Sequence, residues 1–363
     1  MYSGKVLRGD AEGMVELLAE AALEPKFRSW TVEEVKHAAF QDSMEAKASS
    51  PLSLLMEAVY SGAYGGDSGM GRRQWAEEGD LEGLTSEALL GHIKAYFTGD
   101  RAVLSAVNIP HEALVEMGKL YLGALPAGSG AAAPPSTPAW KGGEGLLRSV
   151  RGVGSARVAL ALPAPSLAAN PKTAAAASVL TALLGGSPPS PRSGRPEPFF
   201  PGNSRLAVAA RESGTKCSAF YLPGTDSGLI GVMGSTPVSS ESGETVDVRS
   251  LINLLAASLK GAAATPASPT ELARAKASAK MWVAERADGR DSRAGGFASA
   301  VLRGAAAAGG ADTLAAELAA IDSVGAGDVA AVAKQSLSAP PSVAAISSLE
   351  GFPRYEQVVA LLK

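Results

Sequence analysis

The chain has one cysteine, Cys217, three histidines and 5% aromatic residues among 363. A single thiol excludes an intrachain disulfide and suits a reducing compartment. Its expected role is that of a small buried apolar residue. No stretch approaches 18 consecutive strongly apolar residues, because the alanine runs at 174–177 and 305–308 are short, so no membrane span of its own is expected. A net charge of -3 exerts no broad pull on nucleic acid. The N-terminus shows neither the basic, apolar, small-residue order of a signal peptide nor the Arg- and Ser-rich bias of a transit peptide. Any targeting segment is expected to have been removed or to lie upstream of Met1.

Catalytic signatures are scarce as well. His37, His92 and His111 stand in neither HxxEH nor HExxH, the motifs that place two imidazoles on adjacent helical turns for zinc. His111 reads as a helix start and His92 as part of an exposed helix face. Glu33, Glu34, Asp42 and Glu45 read as one solvated helix face. The stretch Gly185 to Arg195 has no GxxxxGK[ST] or GxGxxG spacing, and its prolines remove the N–H donors a phosphate cradle needs. It reads as a long surface loop. No GxSxG elbow occurs. No catalytic residue, cofactor-binding residue or metal ligand is therefore assigned, and no cofactor is expected.

What the chain does have is a long-period repeat. Leu84 to Val103 falls on Val324 to Val343 at an offset of 240 without a gap: Leu84 on Val324, Leu89 on Val329, Lys94 on Lys334, Phe97 on Leu337 and Val103 on Val343. Glu34-Val35 falls on Glu271-Leu272 at offset 237, and Met56-Glu57-Ala58-Val59 on Ala298-Ser299-Ala300-Val301 at offset 242. Similarity at this period indicates duplicated domains rather than a solenoid. The Pro/Gly/Ser-rich segment 126–143 reads as a linker between a first domain, 1–125, and a second, 144–363.

The second part reads as α+β. Strands are expected at 157–163, 217–222, 229–234 and 342–347, the middle two as a hairpin. Helices are expected at 170–184, 241–260, 269–287, 292–307, 312–321, 326–337 and 355–362. The first part shows only the later portion of this plan, with helices at 10–23, 31–47, 51–62, 85–97 and 111–122 and one strand at 102–108. The repeat block starts 180 residues into the second part (144 to 324) but 83 into the first (1 to 84). A shortfall of 97 residues follows, so the first domain is expected to be incomplete at its front.

Several stretches resemble the pitrilysin-type metallopeptidase superfamily, and within it the mitochondrial processing peptidase and complex III core protein family. They are Tyr64-Gly65-Gly66-Asp67-Ser68-Gly69-Met70-Gly71-Arg72, Leu84 to Leu89 with Tyr96-Phe97-Thr98, His111 to Val115, Leu183-Leu184-Gly185-Gly186, Ser227 to Gly231, Ser268 to Lys276, and Ile321-Asp322 to Val329. Met1 to Trp30, and Cys217-Ser218-Ala219-Phe220 ahead of Asp226 to Leu229, are similar to the core protein 2 branch.

The resemblance implies two homologous α+β domains joined by a linker. Catalytic members carry HxxEH early in the first domain and a third ligand, Glu, on a later helix; that later position matches Asp42, one methylene shorter. A shortened ligand misses the tight geometry of zinc. The Pro-rich 187–201 stretch stands where the processing peptidase α subunit has a glycine-rich, substrate-handling loop.

The implied protein is a non-catalytic, core protein 2-like structural subunit of the cytochrome bc1 complex (complex III), peripheral on the matrix side of the mitochondrial inner membrane. Its implied partners are a core protein 1-like (β-type) subunit and other complex III subunits, within the complex III dimer and a respiratory supercomplex; nucleic acid is not among them. The alternative is an α-like non-catalytic subunit of the processing peptidase that presents presequences to a zinc-bearing partner. An HxxEH upstream of Met1 would instead restore an active peptidase.

Overall fold

A computed structural model describes residues 1–128, 139–148, 155–166, 170–186, 203–237, 248–302, 310–347, 349 and 351–363. The central part of the expected linker and all of the Pro-rich stretch at 187–201 lie outside the described residues. In chain order the helices are α1 (Ala11–Leu23), α2 (Ser29–Ser49), α3 (Pro51–Tyr64), α4 (Glu78–Glu82), α5 (Ser86–Tyr96), α6 (His111–Leu122), α7 (Pro171–Leu184), α8 (Arg205–Ser213), α9 (Val248–Ala264), α10 (Pro269–Asp288), α11 (Arg290–Leu302), α12 (Gly310–Ser323), α13 (Ala326–Leu337) and α14 (Tyr355–Leu362). The strands are β1 (Gly143–Arg148), β2 (Ser155–Ala164), β3 (Lys216–Pro223), β4 (Gly228–Pro237) and β5 (Ser342–Ser347).

These described residues fall into two compact units that interleave along the chain. One takes residues 1–46, 75–135 and 287–308; the other takes 47–74, 136–286 and 309–363.

The second unit is built on one five-stranded sheet in the order β1-β5-β2-β4-β3. β2, β4 and β3 are antiparallel neighbours and β5 is antiparallel to β2, while β1 runs parallel to β5. The period of two sorts the side chains between layers. Val158, Leu160 and Leu162 of β2 face a helical core with Leu180, Leu184, Ile252, Leu255 and Val329. Ala159 and Ala161 face the opposite side, where α3 lies with Leu55, Ala58, Val59, Ala63 and Tyr64. The α+β expectation holds, with helices on both faces of a mixed sheet.

Local signals explain the boundaries. Asn170 caps α7 by accepting from Lys172 N–H at 2.9 Å, Pro171 occupies the first helical position, and Gly185 at φ 116° ends it. The β3–β4 hairpin closes through Gly224 N–H to Ser227 O at 2.7 Å. α13, β5 and α14 keep their expected bounds.

Helix α3 sits close to the sheet because its contact face is small. The Ser342 hydroxyl donates to Val59 O at 2.7 Å. A Cβ on Gly145 would lie 2.9 Å from Ala58 C and nearer still to its carbonyl oxygen. Leu55, Val59 and Tyr64 are at most 1% exposed. Burial of such side chains contributes about 1.5–3 kcal/mol each.

The first unit is helical: α1, the greater part of α2, α4, α5, α6 and α11. α1 packs on α6, and the Tyr121 hydroxyl donates to Glu12 at 3.1 Å. Its buried apolar residues among those described are Ala11, Val15, Ala19 and Val32, all small.

One sequence expectation is corrected here, and three elements were not anticipated. Residues 102–108 join no ladder among the described residues, and the chain bends at Val107 and turns left-handed at Asn108 (φ 72°); a strand pattern becomes a strand only where another backbone takes up its N–H and C=O groups. β1 begins at Gly143, inside the stretch read as linker, and α8 follows directly on the stretch read as loop. The short α4 had no periodic signal.

Candidate functional site

The residues weighed for metal chemistry stand apart. His37 and Asp42 lie on α2, His92 on α5 and His111 at the first position of α6, and all four are exposed. The α2 side chain turned inward next to Asp42 is Ser43, 2% exposed, whose hydroxyl donates to Ala76 O at 2.8 Å. His92 lies against the Tyr96 ring at 4.6 Å. Among the described residues no three His, Cys, Asp or Glu side chains gather closely enough to hold a metal ion.

The void described in the core of the second unit is too small for a ligand. It measures about 10 Å³ and lies among Leu162, Leu180, Leu184, Ile230 and Leu337. That is room for one water at most, and an apolar lining leaves it dry. Cys217 is 8% exposed in the same core, and burial pushes its thiol pKa up, so the thiolate needed for nucleophilic attack is disfavoured.

The chain instead uses its distinctive residues as joints. At the end of α3 the Tyr64 hydroxyl donates to Ser227 Oγ at 3.0 Å in the β3–β4 turn. Tyr64 stacks near Tyr60 at 6.2 Å and meets Trp140 edge-on at 5.6 Å. The Trp140 indole N–H donates to Pro340 O at 2.8 Å. Desolvation raises the pKa of both tyrosines, which keeps the Tyr64 hydroxyl a neutral donor.

A second joint centres on Arg205 at the start of α8. Its Nε donates to Glu271 Oε1 at 3.1 Å and NH2 to Oε2 at 3.2 Å, a bidentate pair. NH1 also donates to Thr265 O at 3.0 Å, just past the C-terminus of α9, where a cation meets the negative end of the helix dipole. Glu271 completes a capping box, accepting from Ser268 N–H at 2.9 Å while its own N–H donates to Ser268 Oγ at 3.3 Å. The arginine and these donors hold the Glu271 carboxyl down at about 2.

A third joint ties α7 to α13. Lys172 pairs with Asp328 at 2.8 Å, and Gly325 N–H donates to the same carboxylate at 2.7 Å. Lys172 and that N–H lower the Asp328 pKa.

Most of the family-like stretches thus have a structural explanation. Tyr64, Gly65 (φ 85°), Thr85 capping α5, Gly185, Ser227, Ser268, Glu271 and Val329 cap, turn, staple or fill the core. Sequence reading missed Arg205, because α8 was not anticipated; the signal available was Ser204 as its cap and Gly214 as its stop.

The remaining surface feature is apolar. In the first unit Leu7, Leu17, Trp30, Leu120 and Leu302 are between 57% and 79% exposed.

The described residues of the second unit form a helix-covered α+β scaffold held by structural joints. Residues 83–279 match the peptidase M16 inactive domain, and the chain belongs to that family. It is 28% identical over 283 residues to the probable mitochondrial-processing peptidase subunit alpha-2 of Arabidopsis thaliana, covering 78% of this chain and 54% of that protein. It is 27% identical to the mitochondrial-processing peptidase subunit alpha of Solanum tuberosum, over 99% of this chain and 68% of that one. It is also 26% identical to cytochrome b-c1 complex subunit 2 of Mus musculus, over 98% of this chain and 74% of that one. The chain spans about half the length of the Arabidopsis relative. A solved chain of complex III2 from Candida albicans, with Inz-5 bound, shares the fold at a TM-score of 0.79 with 16% identity, covering 98% of this chain and 81% of that one.

Proposed function

We propose that this chain is a non-catalytic, core protein 2-like structural subunit of the mitochondrial cytochrome bc1 complex, peripheral on the matrix side of the inner membrane. The observation that carries the reading is where the chemistry-capable side chains stand: His37, Asp42, His92 and His111 are exposed on three helices, while the family-like residues serve as joints. Such a molecule acts through surfaces. Its partners are a core protein 1-like subunit and other subunits of a complex III dimer. No described helix is long and apolar enough to cross a membrane, which fits peripheral attachment. The boundary at 126–143 separates the two copies of the repeat, 1–125 and 144–363, and α3 and α11 then count as helices each copy gives to the other's compact unit.

Co-purification of the tagged full-length chain with b- and c-type haem from detergent-solubilised membranes tests the scaffold. Recovery free of haem, or with stoichiometric zinc bound to this chain, overturns it.

The processing peptidase α relatives favour a second reading, in which the chain presents presequences to a zinc-bearing partner. Presequence cleavage by the chain plus that partner, abolished when residues 187–200 are replaced, supports this reading; cleavage unaffected by the replacement removes it.

A further inference from the structure

Met70 and Ser227 meet where α3 finishes, beside the β3–β4 turn. The Tyr64 hydroxyl donates to Ser227 Oγ at 3.0 Å, and Ser227 Oγ donates in turn to Met70 Sδ at 3.6 Å. A thioether sulfur is a weak acceptor with no proton to pass on, so this row of bonds ends at Met70. The Met70 side chain packs against the apolar cluster that holds Leu55, Val59, Tyr64, Phe220 and Leu229. It is half-buried rather than enclosed.

Neither residue can step back from the contact. Met70 stands in a closed turn, in which Ser68 Oγ donates to Gly65 O at 2.9 Å and accepts from Gly71 N–H at 3.0 Å. A Cβ on Gly71, the next residue, would run into the Gly65 carbonyl. Ser227 stands in a second closed turn, in which Gly224 N–H donates to Ser227 O at 2.7 Å. A Cβ on Gly228, again the next residue, would lie 2.6 Å from Pro165 O. Two turns, each pressed on other backbone, thus face one another across a single sulfur–hydroxyl contact. A close-packed interior transmits a local change instead of absorbing it.

We propose that Met70 is an oxidant-responsive latch: hydrogen peroxide converts its thioether to the sulfoxide, which parts the β3–β4 turn from the end of α3, and a methionine sulfoxide reductase closes it again. In the forward step a sulfur lone pair forms the S–O bond as the O–O bond of the peroxide breaks. The proton on the transferred oxygen passes to the departing hydroxide, which leaves as water. Sulfur loses two electrons and the peroxide gains them. The new oxygen has two ways to point. Toward Ser227 it must fit between atoms 3.6 Å apart, where an O–H···O bond alone takes about 2.7–2.8 Å. Away from Ser227 it is drawn to water, because oxidation turns an apolar side chain polar, and the sulfur leaves the hydroxyl. Both orientations break the contact between the turns. The latch is a property of the second unit by itself, independent of whether the chain scaffolds a respiratory complex or presents presequences.

Peroxide titration of the native full-length chain tests it, with peptide mapping of each methionine by mass spectrometry and amide exchange at each stage. Met44 and Met281, 52% and 53% exposed, convert first; Met70 follows while the chain stays folded, and Met233 at 3% exposure remains reduced. As Met70 converts, the amides of Gly65 and Gly224, which bond Ser61 O and Ser227 O, exchange roughly tenfold or more faster, while those of 343–346 keep their protection. Reductases for both sulfoxide epimers return the original rates. Met70→Leu keeps the shape without the sulfur and shows no acceleration, although Met44 and Met281 oxidise as before; if that variant misfolds, the oxidation–reduction cycle of the unaltered chain decides alone. Met70 that stays reduced until the chain unfolds overturns the proposal, as does Met70 sulfoxide with unchanged exchange at Gly65 and Gly224. Equal acceleration in folded Met70→Leu assigns the effect to another methionine and overturns it too. So does a chain whose Met70 is reduced again without recovering its protection.

Discussion

Substituting Gly145 by alanine tests the claim that α3 is seated directly on the sheet. The added Cβ would fall 2.9 Å from Ala58 C and 3.0 Å from Ala58 Cα. All the nearest atoms are backbone, so no side chain can swing aside. Ordinary contact requires about 3.4–4 Å, and α3 must lift by roughly 1 Å at this point. Lifting loosens Leu55, Val59 and Tyr64 together, since they share the face. Overpacking of this kind costs about 1–3 kcal/mol, and the lower unfolded-state entropy of alanine returns about 0.5–1 kcal/mol. The net loss is about 1–2 kcal/mol, read as a melting decrease of roughly 2–8 °C for a unit of this size. Gly261→Ala is the control: it lies in α9 with nothing within 4 Å of the new Cβ, and it gains about 0.5–1 kcal/mol. Calorimetry of both variants, with amide exchange along α3, makes the measurement. If Gly145→Ala melts at or above the wild-type temperature while α3 stays protected, the close approach is refuted.

Removing the Tyr64 hydroxyl as Tyr64→Phe costs about 1 kcal/mol, and a double-mutant cycle with Ser227→Ala returns a coupling of about 0.5 kcal/mol or more; a zero coupling denies the joint. Glu271 has a carboxyl pKa of about 2, depressed from 4.5, so its contribution is complete above pH 4.5 and is lost as pH falls through 2. Arg205→Ala removes most of that dependence and, with solvent screening the pair, lowers stability at pH 7 by about 1–2 kcal/mol; an unaltered acid limb of the stability curve would contradict the assignment. Cys217 reacts with a disulfide reagent only as its unit opens, so the labelling rate rises with denaturant; fast labelling under native conditions would place the thiol at the surface. Asp42→Ala leaves melting and assembly unchanged, and a drop in either would give the carboxylate a role.

The parts of the fold written in short-range chemistry were legible. Asn170-Pro171 opens α7 and Gly185 closes it, and the turn around Gly224 folds β3 on β4. β1 was not, because Gly143-Glu144-Gly145-Leu146 carries little strand signal and pairs only once β5 lies parallel beside it. The reverse failure is residues 102–108, whose pattern is as strand-like as that of β5 and whose pairing partner is absent among the described residues. Seating α3 on a sheet that forms far downstream depends on small residues meeting small residues, Ala58 against Gly145, and single-sequence periodicity has no access to that match. Spacing kept the three histidines out of any zinc motif, and they stand on α2, α5 and α6. Arg205 was hidden by a helix that follows proline-rich sequence.

The bond from Ser342 to Val59 spans 283 residues. At a synthesis rate of about 5–20 residues per second, α3 leaves the ribosome about 15–55 s before the strand that receives it. Its Leu55, Val59 and Tyr64 face is apolar throughout that interval, and the helix cannot reach its seat by any local route. Newly made chain therefore passes through a state with one sticky helix and no sheet, long on the scale of unassisted collapse. The seat of α3 makes the duration of that state a property of the gene's order rather than of the finished fold.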